Sequence, residues 1–153
     1  MSNITRFMLA PDFVAMILNN SFGVPDEDYT DTHMYPGLGI EFDEDNFVFT
    51  KEPVRKGYTI LDSPIEFHDP INGVLRNSNS VQWEKAKENW TTGTDKIKYI
   101  GLYYRRQNPA FLQEIKYEYK LMVVLPLMPA ETVLNGERMV INQNSIQIKL
   151  ANR

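Results

Sequence analysis

The sequence predicts a mostly β domain, an antiparallel β-sandwich with one short N-terminal helix. Apolar residues alternate with polar ones over short segments from residue 38 onward, and this period of two is typical of half-buried strands. Turn-forming residues separate these segments, and only the N-terminal region carries helix signals. With 153 residues, the chain has the length of a single domain. We therefore expect one domain, residues 1–153, divided into a helical segment 1–23, an acidic loop 24–37 and a sandwich 38–153.

The predicted helix covers residues 12–22. Pro11 suits the first helical turn, Asp12 favours the positive end of the helix dipole, and Gly23 suits a left-handed cap. Little polar surface remains around this segment, so we expect cover from its own sheet or from another subunit, and its own sheet is favoured. One apolar face carries three side chains: Phe13, Met16 and Ile17.

The first predicted strands, beyond the acidic loop, are short. Alternation over 38–42 and 47–50 predicts two of them, and 64–67 resembles an edge segment. Further along the chain, Val81 and Trp83 fall on one face of another segment. Short strands at regular spacing favour a sandwich over a helical fold.

The strongest strand signal lies at 96–106, where both faces carry apolar side chains. A strand of this kind is expected in the centre of a sheet. Residues 115–121 alternate cleanly and lead into the continuous apolar run 122–128. Pro126 and Pro129 lack a backbone N–H, so we expect that end of the run at a sheet edge or beyond it.

The last part of the chain is predicted to form a hairpin and a closing strand. Asn135-Gly136 is the commonest two-residue hairpin signal, and we expect it to join 132–134 to 138–141. The closing strand then places three apolar side chains on one face: Ile146, Ile148 and Leu150.

Composition and motifs argue against several classes of function. The chain has no cysteine, which rules out disulfides, thiolate metal sites and a cysteine nucleophile. His33 and His68 lack metal-site spacing, and there is no phosphate-binding loop. No apolar run approaches the ~18 residues of a membrane span, and a net charge of -4 disfavours nucleic acid as a partner. We expect no enzymatic activity, no cofactor and no membrane partner.

Two acidic clusters, 26–31 and 43–45, have the residue types that bind Ca²⁺. The spacing of an EF-hand fails, because no glycine occupies the sixth position counted from Asp43. Solvated acidic loops are the favoured interpretation, and we predict no metal site.

Cations and tyrosines interleave in the predicted strand 96–106. Such a pattern occurs where single-stranded nucleic acid binds, but Glu114 and Glu118 offset the charge. Tyrosine and arginine are also enriched at protein interfaces, which favours a surface for a protein partner. With the helix face and the apolar run added, the candidate partner-binding residues are Phe13, Met16, Ile17, Tyr103, Tyr104, Arg105, Arg106, Leu125, Leu127 and Met128.

Trp90 lies in a polar loop, where a large aromatic side chain usually folds back onto the core. The alternative is an exposed aromatic shelf beside Asn89 and Asp95, which a glycan-binding head would need. The first interpretation is favoured.

The C-terminal half also carries an ordered set of packing positions. They are Ser78-Asn79, Val81, Trp83, Trp90 and Gly93, then Ile97, Tyr99, Ile100, Gly101, Leu102 and Tyr103, and finally Val133, Gly136, Glu137, Met139, Ile141, Ile146, Ile148 and Leu150. This order resembles small virion proteins of tailed bacteriophages, of the tail fibre or minor structural type. The chain departs from that pattern at three places. The Trp90–Gly93 spacing is longer, the loop 105–114 is larger, and the segment 47–60 has no counterpart.

The resemblance implies a virion structural protein, present in several symmetric copies. The expected role is assembly within the tail, in its fibre, baseplate or neck; the alternatives are a capsid decoration protein of the head and a glycan-binding receptor module. The expected partners are other virion proteins, copies of the chain itself and, for the last alternative, a host glycan. The expected location is the virion, after synthesis in the host bacterial cytoplasm.

Overall fold

The computed structural model describes residues 3–4, 8–11, 31–54, 56–69, 71, 74–107 and 117–149. The strands in these residues are β1 (Asn3–Ile4), β2 (Met8–Leu9), β3 (Asp31–Gly39), β4 (Glu41–Asp43), β5 (Val48–Lys51), β6 (Val74–Arg76), β7 (Val81–Gln82), β8 (Ile97–Gln107), β9 (Tyr117–Glu131), β10 (Val140–Ile141) and β11 (Gln147–Lys149). The helix predicted at 12–22, with Phe13, Met16 and Ile17, lies outside the described residues.

The largest sheet is antiparallel, with the strand order β1-β9-β8-β3 and with β2 also paired to β9. β8 therefore lies between two neighbours, which confirms the prediction that this strand is central. Three further antiparallel pairs join β4 to β5, β6 to β11 and β7 to β10. The prediction of a mostly β, antiparallel fold is confirmed.

Two hydrophobic clusters meet the two faces of the central sheet. Neighbouring residues of a strand point to opposite faces, and Leu102 belongs to the larger cluster while Tyr103 belongs to the smaller one. In β9, Leu125 and Val124 divide in the same way. We call these clusters the larger core and the smaller core; Trp83 belongs to the larger core.

A bulge at Met122 changes the alternation along β9. Leu102 pairs with Val123 and Tyr103 pairs with Leu121, so Met122 has no residue opposite it in β8. Met122 and Val123 consequently both enter the larger core, while Leu121 enters the smaller one. The continuous apolar run in the sequence reflects this strand, which is buried on both faces.

The predicted acidic loop 24–37 is wrong from Asp31 onward, where β3 begins. Met34 is buried in the larger core, and β3 pairs with β8. The Pro36 carbonyl accepts a hydrogen bond from the Leu61 N–H, on the side away from β8. The Pro36 nitrogen faces the same way, so its missing N–H removes no bond between β3 and β8.

The prediction that Pro126 marks a sheet edge is wrong, because β9 continues past it to Glu131; Pro129 lies beyond Met128, where the described pairing of β9 with β1 ends. β9 lies inside the sheet, since β1 and β2 pair along its other side. β1 meets β9 at 127–128 and β2 meets it at 123–124. Pro126 falls between these two short pairings, where a missing N–H is tolerated.

The turn at Asn135-Gly136 is confirmed, but the hairpin predicted around it is wrong. Gly136 has a φ of 86°, and the Glu137 N–H donates to the Leu134 carbonyl at 2.9 Å. Beyond this turn, backbone hydrogen bonds join both arms to the segment 83–90. In these bonds the N–H groups of Trp83, Ala86 and Trp90 donate to the carbonyls of Met139, Glu137 and Val133.

Two tryptophans hold the segment 56–60, which forms no strand. Trp83 and Trp90 are both buried in the larger core, which confirms the prediction that Trp90 folds back onto the core. The Trp83 Nε1–H donates to the Thr59 carbonyl at 2.8 Å, and the Trp90 Nε1–H donates to the Lys56 carbonyl at 3.0 Å. A buried indole needs such a partner, and this segment supplies both.

Tyr58, in the same segment, closes the outer edge of β3. The Leu38 N–H donates to the Tyr58 hydroxyl at 2.8 Å, and that hydroxyl donates to the Leu38 carbonyl at 3.2 Å. One side chain thus satisfies both backbone groups that an added strand would bind. Burial raises the pKa of Tyr58 above its usual range, so the phenol keeps the proton that the second bond requires.

We expect Tyr58→Phe to lower the free energy of unfolding by about 1–3 kcal/mol, because both backbone groups of Leu38 lose their partner. Tyr99→Phe is the matched control, since the described residues show no hydrogen bond of the Tyr99 hydroxyl, and its change should stay within about 0.5 kcal/mol. Urea denaturation of both variants measures the difference. Equal losses in the two would mean that the Tyr58 bridge does not stabilise this edge.

Candidate binding face of the central sheet

The side of the central sheet that meets the smaller core is rich in aromatic rings. Its members, which we call the aromatic face, are Phe42, Phe49, Tyr99, Tyr103 and Tyr119. Alternate positions of β8 and β9 supply the tyrosines, and the β4–β5 pair lays its phenylalanines over them. The Phe42 ring lies 5.7 Å from the Tyr99 ring and 5.8 Å from the Phe49 ring, between centroids.

Two glycines let Phe49 lie directly on the sheet. A Cβ added at Gly39 or at Gly101 would stand 2.6 Å from the Phe49 ring, a distance that real Cβ atoms do not adopt. Phe49 stacks on Tyr99 at 5.9 Å with an interplanar angle of 26°. It meets Tyr103 edge-on, at 6.4 Å and 72°. The glycines therefore fix where one wall of the neighbouring pocket stands.

A pocket of about 250 Å³ opens beside these rings. Its apolar lining comes from β5, β9 and the segment 56–60, its aromatic lining from three strands, and its single charged residue is Glu52. We call it the Glu52 pocket; it is lined by Val48, Phe49, Glu52, Ile60, Tyr103, Tyr119 and Leu121.

Glu52 is the charged group of this pocket, and it is half-buried. The Tyr103 hydroxyl donates to Glu52 Oε1 at 3.5 Å, which is a long hydrogen bond. Burial raises the pKa of Glu52, and the bond from Tyr103 offsets part of that rise. Burial, with the Glu52 carboxylate nearby, also raises the pKa of Tyr103. The phenol is therefore a proton donor to the carboxylate at neutral pH.

Arg105, near the end of β8, is held between two tyrosine rings. Its guanidinium carbon lies 3.8 Å from the centroid of Tyr35 and 4.0 Å from that of Tyr117. Its Nη1 also bonds to Asp62 Oδ1 at 2.9 Å. Asp62 is largely exposed, so this ion pair adds only about 0–1 kcal/mol. Stacking of the planar cation on both faces is the stronger restraint.

The residues predicted to bind a partner do not form one surface. Tyr104, Leu125 and Leu127 point into the larger core and are buried there. We therefore remove them from the partner-facing surface, because the alternation of β8 and β9 turns them toward the chain's own interior. Tyr103 is buried on the opposite face, where its ring lines the Glu52 pocket.

The remaining predicted residues of β8 and β9 lie nearer the surface. Arg106 Nε bonds to Glu118 Oε2 at 2.7 Å across the two strands. Met128 is 60% exposed, next to β1. Arg105 and Arg106 are thus both engaged in contacts of this chain, while Met128 presents its side chain to solvent.

Trp90 does not provide the aromatic shelf that a glycan-binding head would need. It is 2% exposed. The shallow pocket next to it is lined by Glu88, Asn89, Thr91 and Thr92, without an aromatic ring. Asp95 pairs with Lys51. The shelf considered for Trp90, Asn89 and Asp95 is therefore not formed.

The acidic cluster 43–45 belongs to the turn between β4 and β5. The Asp43 carboxylate accepts hydrogen bonds from the Asn46 side chain at 2.7 Å and from the Asp45 N–H at 3.0 Å. The bond from the Asn46 side chain is the main cause that lowers the pKa of Asp43. Among the residues described, no three His, Asp or Glu side chains are grouped to hold a metal ion. Nor does that part of the chain contain a helix with the length and hydropathy of a membrane span.

Sequence reasoning missed Glu52 and Val48 as site residues. Glu52 follows β5 and precedes Pro53, and nothing in the local pattern distinguishes it from the other acidic residues. A signal was available in Gly39 and Gly101, because glycine inside a strand often marks the close approach of another group.

Comparison with family models, with curated proteins and with solved structures gave no match to this chain. The resemblance to phage virion proteins therefore stays a prediction, based on the ordered packing positions described above.

Proposed function

We propose that this chain is a structural component of a bacteriophage virion, a non-enzymatic β-sandwich module that mediates protein–protein assembly in the tail. Its packing positions from Ser78 onward support the virion role, since they follow the order found in small phage virion proteins. Two of these positions agree with a packing role in the fold, since Trp83 and Ile148 are buried in the larger core.

The sandwich arrangement is supported by the composition of the larger core. Leu102 and Val123 of the central sheet belong to the same cluster as Leu75 of β6, Ile141 of β10 and Ile148 of β11. The β6–β11 and β7–β10 pairs thus share a core with one face of the central sheet, which supports a second layer of the kind that sandwiches have.

The observation that carries the assembly role is an exposed apolar patch on the aromatic face. Tyr117 is 37% exposed and Val48 is 47% exposed. Tyr119 connects them, since its ring lies 6.4 Å from that of Tyr117 and lines the Glu52 pocket with Val48. Tyrosine beside a stacked arginine, here Arg105, is the composition that protein interfaces enrich.

Contacts between side chains are the favoured mode of assembly. Tyr58 and the N–H groups of Leu61 and Ile65 occupy the outer side of β3. On the other side of the sheet, β1 and β2 pair with β9. An added strand from a partner would have to displace these pairings.

Mass spectrometry of purified particles of the encoding phage should find this polypeptide at a fixed copy number per virion. We expect Tyr117→Ser, supplied by complementation, to lower that copy number because it removes the exposed ring of the patch. Val140→Ser is the matched control: Val140 is 41% exposed but lies on β10, away from the aromatic face.

Absence of the chain from mature particles would overturn the proposal. Equal incorporation of the two variants would remove the aromatic face from the interface. Cross-linking within the same particles assigns the neighbour, and a head protein as that neighbour would favour the capsid decoration role over the tail role.

A further inference from the structure

The walls of the Glu52 pocket are aromatic rings set nearly at right angles. Tyr103 meets Phe49 at 72° and Tyr119 at 82°, with centroid distances of 6.4 and 6.0 Å. All three rings line the pocket. Rings set at right angles can turn more than one electron-rich face toward a single bound group. Aromatic cages hold cations in this way.

The pocket also holds a carboxylate that lacks a cationic partner in the described part of the chain. Glu52 accepts a bond from the Tyr103 hydroxyl, whereas the lysine and arginine pairs involve Asp95, Asp62 and Glu118. Burial disfavours the charged form of Glu52. A bound cation would compensate for this loss of solvation, because opposite charges attract more strongly where water is excluded.

The rest of the lining limits the size and polarity of the occupant. Val48, Ile60 and Leu121 are apolar, so they suit methyl or methylene groups rather than a sugar or a phosphate. The volume of about 250 Å³ is below the ~300–1,000 Å³ of pockets for drug-sized ligands. A small chemical group that carries a positive charge and has an apolar surface fits this combination.

We propose that the Glu52 pocket binds an alkylammonium group, held by the rings of Phe49, Tyr103 and Tyr119 and by the Glu52 carboxylate. Two sources offer this chemistry: a lysine side chain of a protein partner, or a free quaternary ammonium compound. The proposal does not depend on the virion role, because it rests on the lining of the pocket alone.

The test is an NMR titration of the full chain, followed through the aromatic resonances of Tyr103 and Tyr119. The probes are choline and 3,3-dimethyl-1-butanol, which have nearly the same shape but differ in charge. We expect choline to bind at least about tenfold more tightly, as cation–π attraction in a partly desolvated site predicts. Equal binding of the two probes would overturn the proposal.

A third probe, N-acetyl-lysine methylamide, distinguishes the two sources. Tighter binding of this probe than of choline assigns the site to a lysine side chain, and the reverse order assigns it to a quaternary ammonium compound. Both orders support the shared chemistry, provided that the neutral alcohol binds more weakly than either.

Glu52→Gln should weaken choline binding by about tenfold or more, because it removes the charge and keeps the shape. Glu84→Gln is the matched control, since Glu84 is exposed and outside the pocket and carries the same change of charge. Tyr119→Leu, at a partly exposed position, is a second variant that removes one wall and should also weaken binding. Unchanged affinity in Glu52→Gln, with native circular dichroism, would overturn the proposal.

The thermal stability of Glu52→Gln separates a binding role from a structural one. A carboxyl group whose pKa is raised by folding lowers stability as the pH rises above its unfolded pKa. Glutamine removes that penalty, so the variant should melt at or above the temperature of the parent chain at neutral pH. Lower stability together with unchanged binding would identify Glu52 as a structural residue and would contradict the proposal.

Discussion

Replacing Asn77 by aspartate is expected to lower the free energy of unfolding by about 3–5 kcal/mol at neutral pH, the range for an uncompensated buried charge. Asn77 is 0% exposed. Its Nδ2 donates to the carbonyls of Asn79 and Asn142, each at 2.9 Å, and its Oδ1 accepts from the Ile146 N–H at 2.8 Å. Aspartate keeps the acceptor but places a second oxygen against two carbonyls that then have no donor.

Asn89→Asp is the matched control for this substitution. Asn89 is exposed, and its Oδ1 accepts a hydrogen bond from the Asn135 N–H at 2.8 Å. Aspartate can accept that bond, so the free energy of unfolding should change by no more than about 0.5 kcal/mol. Urea denaturation at neutral pH compares the two variants.

Acidification should reduce the loss of stability in Asn77→Asp, because a protonated carboxyl group regains one hydrogen-bond donor. The folded state then binds a proton more tightly than the unfolded state, and stability rises as the pH falls. A loss below about 1 kcal/mol at neutral pH, or one that does not depend on pH, would contradict the role given to Asn77. That role is to join the loop 77–79 to residues 142–146 at the end of the larger core.

Gly101→Val is expected to destabilise the chain by about 3 kcal/mol, at the upper end of the range for overpacked cores. A Cβ at Gly101 would stand 2.6 Å from Phe49 Cε2 and 2.8 Å from Leu121 Cδ1. Leu121 belongs to a central strand and Phe49 is held by Tyr99, so neither can move without disturbing the sheet. Thermal or urea denaturation measures the loss.

Gly93→Ala is the control, since a Cβ there meets nothing within 4 Å and the change should stay within about 0.5 kcal/mol. The cause of the loss can be tested in a second background. In the Phe49→Ala background, Gly101→Val should lower the free energy of unfolding by about 0.5–3 kcal/mol less than in the parent chain, because one of the two clashing groups is gone. Strictly additive losses would show that Phe49 does not lie over Gly101.

The sequence predicted those parts of the fold that depend on which way a side chain points. The central position of β8 followed from apolar residues on both faces, and the burial of Trp90 followed from the size of its ring. These features are local, because the period of the apolar residues is set by the strand itself. They could therefore be obtained without knowing which segments pair.

Strand partners could not be predicted in the same way. The turn at Asn135-Gly136 forms, yet β10 pairs with β7 rather than with the arm before the turn. Pro36 and Pro126 stand within β3 and β9, because hydrogen bonds to other segments decide where a missing N–H is tolerated. Such choices depend on residues far apart in the chain, which a local pattern does not encode.

The candidate site was predicted less well than the fold. Tyr103 and Arg105 were identified, but Tyr104, Leu125 and Leu127 were included because composition alone does not separate interface residues from core residues. Glu52 could be found only once the β4–β5 pair was placed over β8. Its significance comes from the rings around it rather than from its neighbours in sequence.

The bonds from Trp83 and Trp90 to the segment 56–60 have a consequence for binding. Ile60, at the end of that segment, is a wall of the Glu52 pocket, and the indole nitrogens that hold Thr59 and Lys56 belong to the opposite core. The pocket is therefore pre-organised in part by two side chains of the larger core. A ligand that enters the pocket would not have to order the segment 56–60 first. The conformational entropy that usually opposes binding to a loop is already lost when the chain folds.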